Sequence, residues 1–370
     1  MKKILIIHES LGGGGAERVL IELLNNINYS RYHITLLTIK DGGIYKSQLN
    51  KNVIHKSIYK TKINIIKRIL TKLKADTLFQ KLEVRKIFKN ETFDVTISFM
   101  EGLTLKYHSL LLQLSPKNIT WVHADLQQNH WSKKYFNKGK EEYCYNAMDK
   151  IVFVSSKARD AFNSIFNINH NKEFILYNII DKNRIMSLAK EKKVKKKKFT
   201  LCCVGRLIPI KRYDRVINAA KLLKEHGCTF DLWIIGTGIL RKDLEFLVNH
   251  YELTEYVHFL GFQSNPYPFI KAADVFIISS DAEGYPTVVC EALTLGKPII
   301  STTITGCTEL LGDSLYGILT DLTPDSMYRA MYQLYTNQQK LKYYSEKALE
   351  RSSIFDVNKS LTEFYNIIDK

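Results

Sequence analysis

Apolar and polar positions follow two alternating patterns along this chain. Short apolar runs, "KKILIIH" at the start, then "YHITLLTIK", "FDVTISFM", "NITWVHA" and "DKIVFVSS", have the length of buried strands. Helix-length segments lie between them. In "AERVLIELLNNI", Val19, Leu20, Leu23, Leu24 and Ile27 recur at helical spacing, and Asp41-Gly42-Gly43 marks a turn after the second run. Beyond residue 180 the alternation restarts with "FTLCCVGRL", "FDLWIIGTG", "YVHFLGF", "ADVFIISS" and "KPIISTT", each ending near Gly, Ser or Thr. Strands separated by helices predict parallel pairing, so the pattern predicts two α/β domains with doubly wound parallel sheets. Ligands of such sheets sit beyond the carboxyl ends of the strands, which puts the small residues at those ends where binding takes place.

With 370 residues the chain has room for two domains, at about 150 residues each. No stretch approaches the roughly 18 apolar residues of a membrane span. The run in "MKKILIIHES" is too short for a secretory signal and reads as a first strand, so a cytoplasmic location is expected. Six cysteines (Cys144, Cys202, Cys203, Cys228, Cys290, Cys307) form no Cys-x-x-Cys pair. They are expected to be reduced, buried thiols rather than a disulfide framework or a zinc site.

A formal charge of +17 calls for an anionic partner: nucleic acid, an acidic membrane surface or a phosphorylated ligand. Much of it sits in residues 60–90, with ten Lys or Arg against two acids. There Ile63, Ile66, Leu70 and Leu73 form an apolar stripe among lysines, a pattern suited to lying on an anionic membrane. The same stripe also fits a surface helix packed on its own core. A second block, "KEKKVKKKK" at 190–198, carries seven lysines and is expected to be solvated and mobile. Nucleic-acid binding would need aromatic stacking platforms or a recognition helix among these charges. The first segment offers only Phe79 and Phe88, and the second no aromatic.

Two motifs in the second half carry chemistry. In "VGRLIPIKRYD", Arg206 follows the strand-ending Gly205 and Lys211 comes five residues on. A planar fork and a compact point charge at one strand end suit a diphosphate. In "DAEGYPTVVCEAL", Glu283 ends a loop, Gly284-Tyr285-Pro286 turns the chain, and a helix from about Thr287 carries Glu291 in its second turn. Amides at that helix start suit an anion, and a carboxylate suits sugar hydroxyls. Apolar neighbours make the face of Glu291 look buried, so its carboxylate needs a partner.

"VGRL…K" followed by "EGYPTVVCEAL", with seven residues between the two glutamates, resembles the retaining family-4 glycosyltransferases (glycosyl transferases group 1) of the GT-B fold. "GGAER", "WVHAD", "IVFVSS", "LYNIID", "WIIGTG" and "LGF…AADVFIISS" extend the likeness along most of the chain. The resemblance implies two Rossmann-like domains facing each other across a cleft. Residues 1–178 would bind the acceptor, 179–350 would bind a nucleotide sugar, and 351–370 would form a helix packing back on the first domain. It also implies roles. Arg206 and Lys211 neutralise the donor diphosphate, Glu291 accepts from the ribose, Glu283 contacts the transferred sugar, and His123 lies near the reacting sugar. Backbone around Gly284, Tyr285 and Pro286 holds sugar and phosphate, Gly205 ends the preceding strand, and Gly261-Phe262 borders the base. Gly14 and Gly15 of "HESLGGGGAERVL" face the donor, with Gly12 and Gly13 surplus, either a mobile lip or slack. Asp125 has no role assigned.

The chemistry these residue types allow is transfer with electrostatic stabilisation of a departing diphosphate. The resemblance implies retention by same-face attack, the departing phosphate acting as base, and no metal or other cofactor; no Asp-x-Asp occurs. It further implies a hexosyltransferase using a UDP-hexose or UDP-N-acetylhexosamine. The acceptor would be a lipid-linked glycan for capsule, O-antigen or a similar surface polysaccharide, reached from the inner face of the cell membrane. A nicotinamide or flavin enzyme is disfavoured, because the sixth position of G-x-G-x-x-G is Glu17 or Arg18. The alternatives are a sugar-nucleotide epimerase of the same fold and, in a different class, a basic nucleic-acid-binding protein.

Overall fold

The computed structural model describes residues 1–59, 84, 86–89 and 91–370. The basic stripe at Ile63, Ile66, Leu70 and Leu73 lies outside them. The chain forms two compact units, Met1–Ile179 with Val357–Lys370, and Ile180–Asp356.

The first unit holds seven parallel strands: β1 Lys2–His8, β2 Tyr32–Lys40, β3 Ile54–Tyr59, β4 Val95–Ser98, β5 Lys117–Val122, β6 Lys150–Phe153 and β7 Glu173–Ile175. Their order is β3-β2-β1-β4-β5-β6-β7, so strand order reverses between β1 and β4. The second unit holds β8 Phe199–Val204, β9 Phe230–Ile235, β10 Val257–Gly261, β11 Val275–Ile278, β12 Ile299–Thr302 and β13 Ile318–Thr320. Its order is β10-β9-β8-β11-β12-β13, with the reversal between β8 and β11. Both sheets are therefore doubly wound, and the carboxyl ends beside each reversal point are the expected ligand positions.

Three strands carry no clear signal in the sequence: β3, β7 and β13. All three lie at sheet edges. A strand covered on both faces reads as an apolar run, whereas "IHKSIY" of β3 sets three consecutive polar residues between exposed or partly exposed apolar ones. The lysine block is not wholly solvated either. Lys196 pairs with Asp274, Lys198 Nζ lies 3.7 Å from Asp231, and Lys192 sits over the Phe269 ring. All six cysteines are free and buried.

The final helix, Val357–Asp369, packs on the first unit. Phe364 is fully buried, and Tyr365 stacks on Tyr32 with ring centroids 5.1 Å apart. At its carboxyl end, Lys2 and Lys117 Nζ donate to the Ile368 carbonyl at 3.0 and 3.3 Å, and Lys150 Nζ donates to that of Ile367 at 2.7 Å. Three cations thus meet the negative end of the helix dipole. Truncating Phe364 to alanine is expected to cost about 3–5 kcal/mol, read as an earlier denaturant transition of the first unit with the second unit's transition unchanged.

Candidate active site

In the second unit the site grows from the loops after β8 and β11. Gly205 follows β8, and the carbonyl of Gly205 comes so close to Gly236 that a Cβ there would lie 1.9 Å from it. Gly236, at φ 140°, is where the loops after β8 and β9 touch, and no side chain fits. Arg206 emerges exposed next to this contact, and its guanidinium has no hydrogen-bond or ion-pair partner among the described residues.

Lys211 closes a short 3-10 turn, Pro209–Lys211, and its ammonium pairs with Glu283 in the loop after β11. Ser280 Oγ also donates to Glu283, at 2.8 Å. The two residues read from sequence as a phosphate ligand and a sugar ligand are thus each other's partners. Arg212 and Arg215 hold the same loop through Asp281, at 3.2 and 2.8 Å, and Arg215 also donates to the Ser279 carbonyl. Burial disfavours the charged form of Asp214, but the Arg212 guanidinium outweighs it and keeps that carboxyl below its usual range.

The chain then turns at Gly284, Tyr285 and Pro286, all buried, into the helix Thr287–Thr294. Glu291 is 7% exposed in its second turn, and its Oε1 accepts from the Tyr267 hydroxyl at 3.1 Å. That is a partner of the kind its apolar setting demands. Phe262 stands 47% exposed just past β10, after Gly261 in the left-handed region at φ 68°.

In the first unit, His123 follows β5 at a carboxyl end. Its backbone N–H donates to Glu101 Oε2 at 2.8 Å, and its ring lies 5.1 Å from that of Phe99. Its Nε2 is buried with no hydrogen-bond partner among the described residues. Burial, with His8 adding a smaller effect of the same sign, pushes its pKa down to about 3. Asp125 is buried and accepts from the Gln128 N–H at 3.0 Å, closing a local turn. In the glycine loop, Gly14 is the extended N-cap and Gly15 opens the first helix, Gly15–Asn26. Gly13, one of the two surplus glycines, takes φ 108°, and a Cβ on it would lie 2.6 Å from Ile44 Cδ1. The left-handed backbone is needed one residue before the pair that the motif singles out.

Residues 186–351 match the family Glycosyl transferases group 1, and residues 13–184 match Glycosyltransferase Family 4. The chain is a glycosyltransferase of this family. It is similar, at 29% identity over 96% of both chains, to the N-acetylgalactosamine-N,N'-diacetylbacillosaminyl-diphospho-undecaprenol 4-alpha-N-acetylgalactosaminyltransferase of Campylobacter jejuni. It is 32% identical to the amylovoran biosynthesis glycosyltransferase AmsK of Erwinia amylovora, over 31% of this chain and 30% of that one. Among solved structures, Anabaena HepE in complex with UDP and glucose matches with TM-score 0.82 at 19% identity, covering 100% of both chains. The fold is GT-B, with two Rossmann-like units.

Motif reading misses one group in this glycosyltransferase, Glu101. It is 1% exposed just past β4 and accepts from His123 N–H and, at 2.9 Å, from Trp131 Nε1. Burial raises its pKa despite these donors. The only signal was an acid directly after an apolar run, too common to single out. Since the folded His123 stays neutral down to about pH 3, the unfolded chain binds its proton first, below about 6.5. Stability is therefore expected to fall as pH drops from about 6.5, with His123 contributing about 1.4 kcal/mol per pH unit. Denaturant unfolding between pH 7 and 5 checks this: His123→Gln should show a shallower slope, and an unchanged slope contradicts it.

Proposed function

We propose that this glycosyltransferase transfers a hexose or N-acetylhexosamine from its UDP derivative to a lipid-linked glycan, with retention, in the assembly of a bacterial surface polysaccharide. The observation that carries the donor half is the arrangement beside the β8/β11 reversal. Arg206 is unpaired among the described residues, Lys211 is held at Glu283, and Glu291 is held by Tyr267. Breaking the anomeric bond puts negative charge on the departing diphosphate, which Arg206, Lys211 and the amides opening Thr287–Thr294 oppose. Glu283 faces the transferred sugar, Glu291 the ribose, and the backbone from Gly284 to Pro286 the sugar and phosphate. Glu283 is already engaged by Lys211 and Ser280, which blunts it as a nucleophile and supports same-face attack over a covalent intermediate. His123 lies near the reacting sugar. Gly14, Gly15, Gly205 and Phe262 complete the donor set. The UDP in the HepE complex supports the choice of nucleotide, and the undecaprenol-linked substrate of the Campylobacter relative supports the acceptor class. No metal ion or other cofactor enters this proposal, the nucleotide sugar being a co-substrate.

Among the described residues no helix is long and apolar enough to cross a membrane. The acceptor would be reached peripherally from the cytoplasmic side through the basic segment 60–90. A nucleic-acid partner is not part of this reading.

A panel of nucleotide sugars should reveal the donor as the one that raises the melting temperature and is slowly hydrolysed, since binding stabilises the folded state in proportion to affinity. With that donor, Glu291→Ala and Lys211→Ala are each expected to lose about a hundredfold or more in turnover with the fold retained. Normal turnover in either sinks the assignment. In a separate measurement, replacing Ile66, Leu70 and Leu73 by serine should weaken sedimentation with anionic vesicles, while leaving the protein's behaviour with neutral vesicles unchanged.

A further inference from the structure

The carboxyl ends of β1, β4 and β5 bring together a second imidazole that neither the motif nor the proposed mechanism uses. His8 is the last residue of β1 and is fully buried. Its ring lies 6.5 Å from that of Phe99, which follows β4, and the His123 ring lies 5.1 Å from Phe99 on the β5 side. Two histidines thus flank one phenylalanine at the point where the strand order reverses. Both have a buried Nε2 with no partner among the described residues.

The two nitrogens of His8 are not equivalent. Nδ1 lies 2.8 Å from the carbonyl oxygen of Ser10. A carbonyl only accepts, so Nδ1 carries the hydrogen. In the neutral ring Nε2 is then a bare lone pair that only a donor can satisfy. Burial lowers the pKa of His8 and outweighs the opposing pull of Glu17, the Ser10 carbonyl and Glu9, so the neutral ring is the resting form. A buried acceptor left unmade is costly. At the carboxyl end of a strand beside the reversal of a doubly wound sheet, such an acceptor is placed to meet a ligand's donor.

We propose that His8 is a substrate-binding residue whose Nε2 accepts a hydrogen bond from a hydroxyl group of a sugar bound at the carboxyl ends of β1, β4 and β5. The inference rests on the glycosyltransferase reading of these strand ends. The hydroxyl belongs either to the transferred sugar or to the acceptor, and the chemistry at Nε2 is the same for both.

Two conservative variants of the full chain separate this role from a purely structural one. His8→Asn keeps a donor near the position of Nδ1 for the Ser10 carbonyl and removes the acceptor. His8→Gln places an amide oxygen near the position of Nε2. The Asn variant is expected to lose about tenfold or more in kcat/KM with its melting temperature unchanged, and the Gln variant to recover to within about threefold of wild type. Should His8→Asn fail to fold, His8→Phe retains an aromatic ring against Phe99 and takes its place. The donor arm uses the UDP-sugar identified by the panel and its 3-, 4- and 6-deoxyfluoro analogues, measured by hydrolysis without acceptor. The acceptor arm uses methyl glycosides of glucose, galactose and N-acetylgalactosamine and their deoxy forms. One hydroxyl, in one arm, should cost about tenfold in wild type and nothing further in the variant. Wild-type kinetics in His8→Asn, equal loss in Asn and Gln, or no such hydroxyl in either arm overturns the proposal. If wild type turns over no nucleotide sugar, the donor reading has failed. Thermal shifts with the methyl glycosides, wild type against variant, then decide the role of His8.

Discussion

The arrangement beside the β8/β11 reversal depends on one buried cation. Arg215 is 2% exposed, yet its guanidinium reaches out of the helix after β8 to the Ser279 carbonyl and to Asp281. A charge so deep in a sheet-and-helix core is tolerated only with such partners, and removing one of them would leave it uncompensated. By holding the loop after β11 against the turn after β8, it sets where Glu283 meets Lys211. It also sets where the chain turns through Gly284 into the helix that carries Glu291. The two loops come from strands adjacent across the reversal of strand order, β8 and β11, where a doubly wound sheet opens a crevice.

The first unit uses the opposite electrostatic device. Its strand ends present neutral imidazoles, His8 and His123, with burial holding both rings uncharged. Glu101 locks the backbone at His123 and the Trp131 indole, so the ring beyond it is preorganised by the fold. One unit thus offers fixed charges suited to a diphosphate, while the other offers neutral hydrogen-bonding groups suited to hydroxyls.

Much of this was legible along the chain. Central strands of both sheets stand out because burial on both faces demands unbroken apolar runs such as "KKILIIH" and "FTLCCV". Glu291 announced its need for a partner by the apolar residues around it, although Tyr267, 24 positions away, could not be named from spacing. The edge strands β3, β7 and β13 escaped, since a half-exposed edge leaves no periodic signature in three to six residues. The positive φ of Gly13 leaves no mark in the sequence, because a glycine's φ is set by the path of the folded loop.

By itself the sequence determined the α/β alternation, the two doubly wound sheets, the family, and residue types suited to a diphosphate. These follow from local periodicity and from motifs whose members lie within a few residues of each other. Only the tertiary structure decided that Lys211 pairs with Glu283, that Glu101 supports His123, and that His8 keeps a bare nitrogen beside Phe99. Each of these joins groups on strands or loops distant in sequence but neighbouring in the sheet. Partnership, burial and the resulting charge state arise only when the chain folds to bring them together.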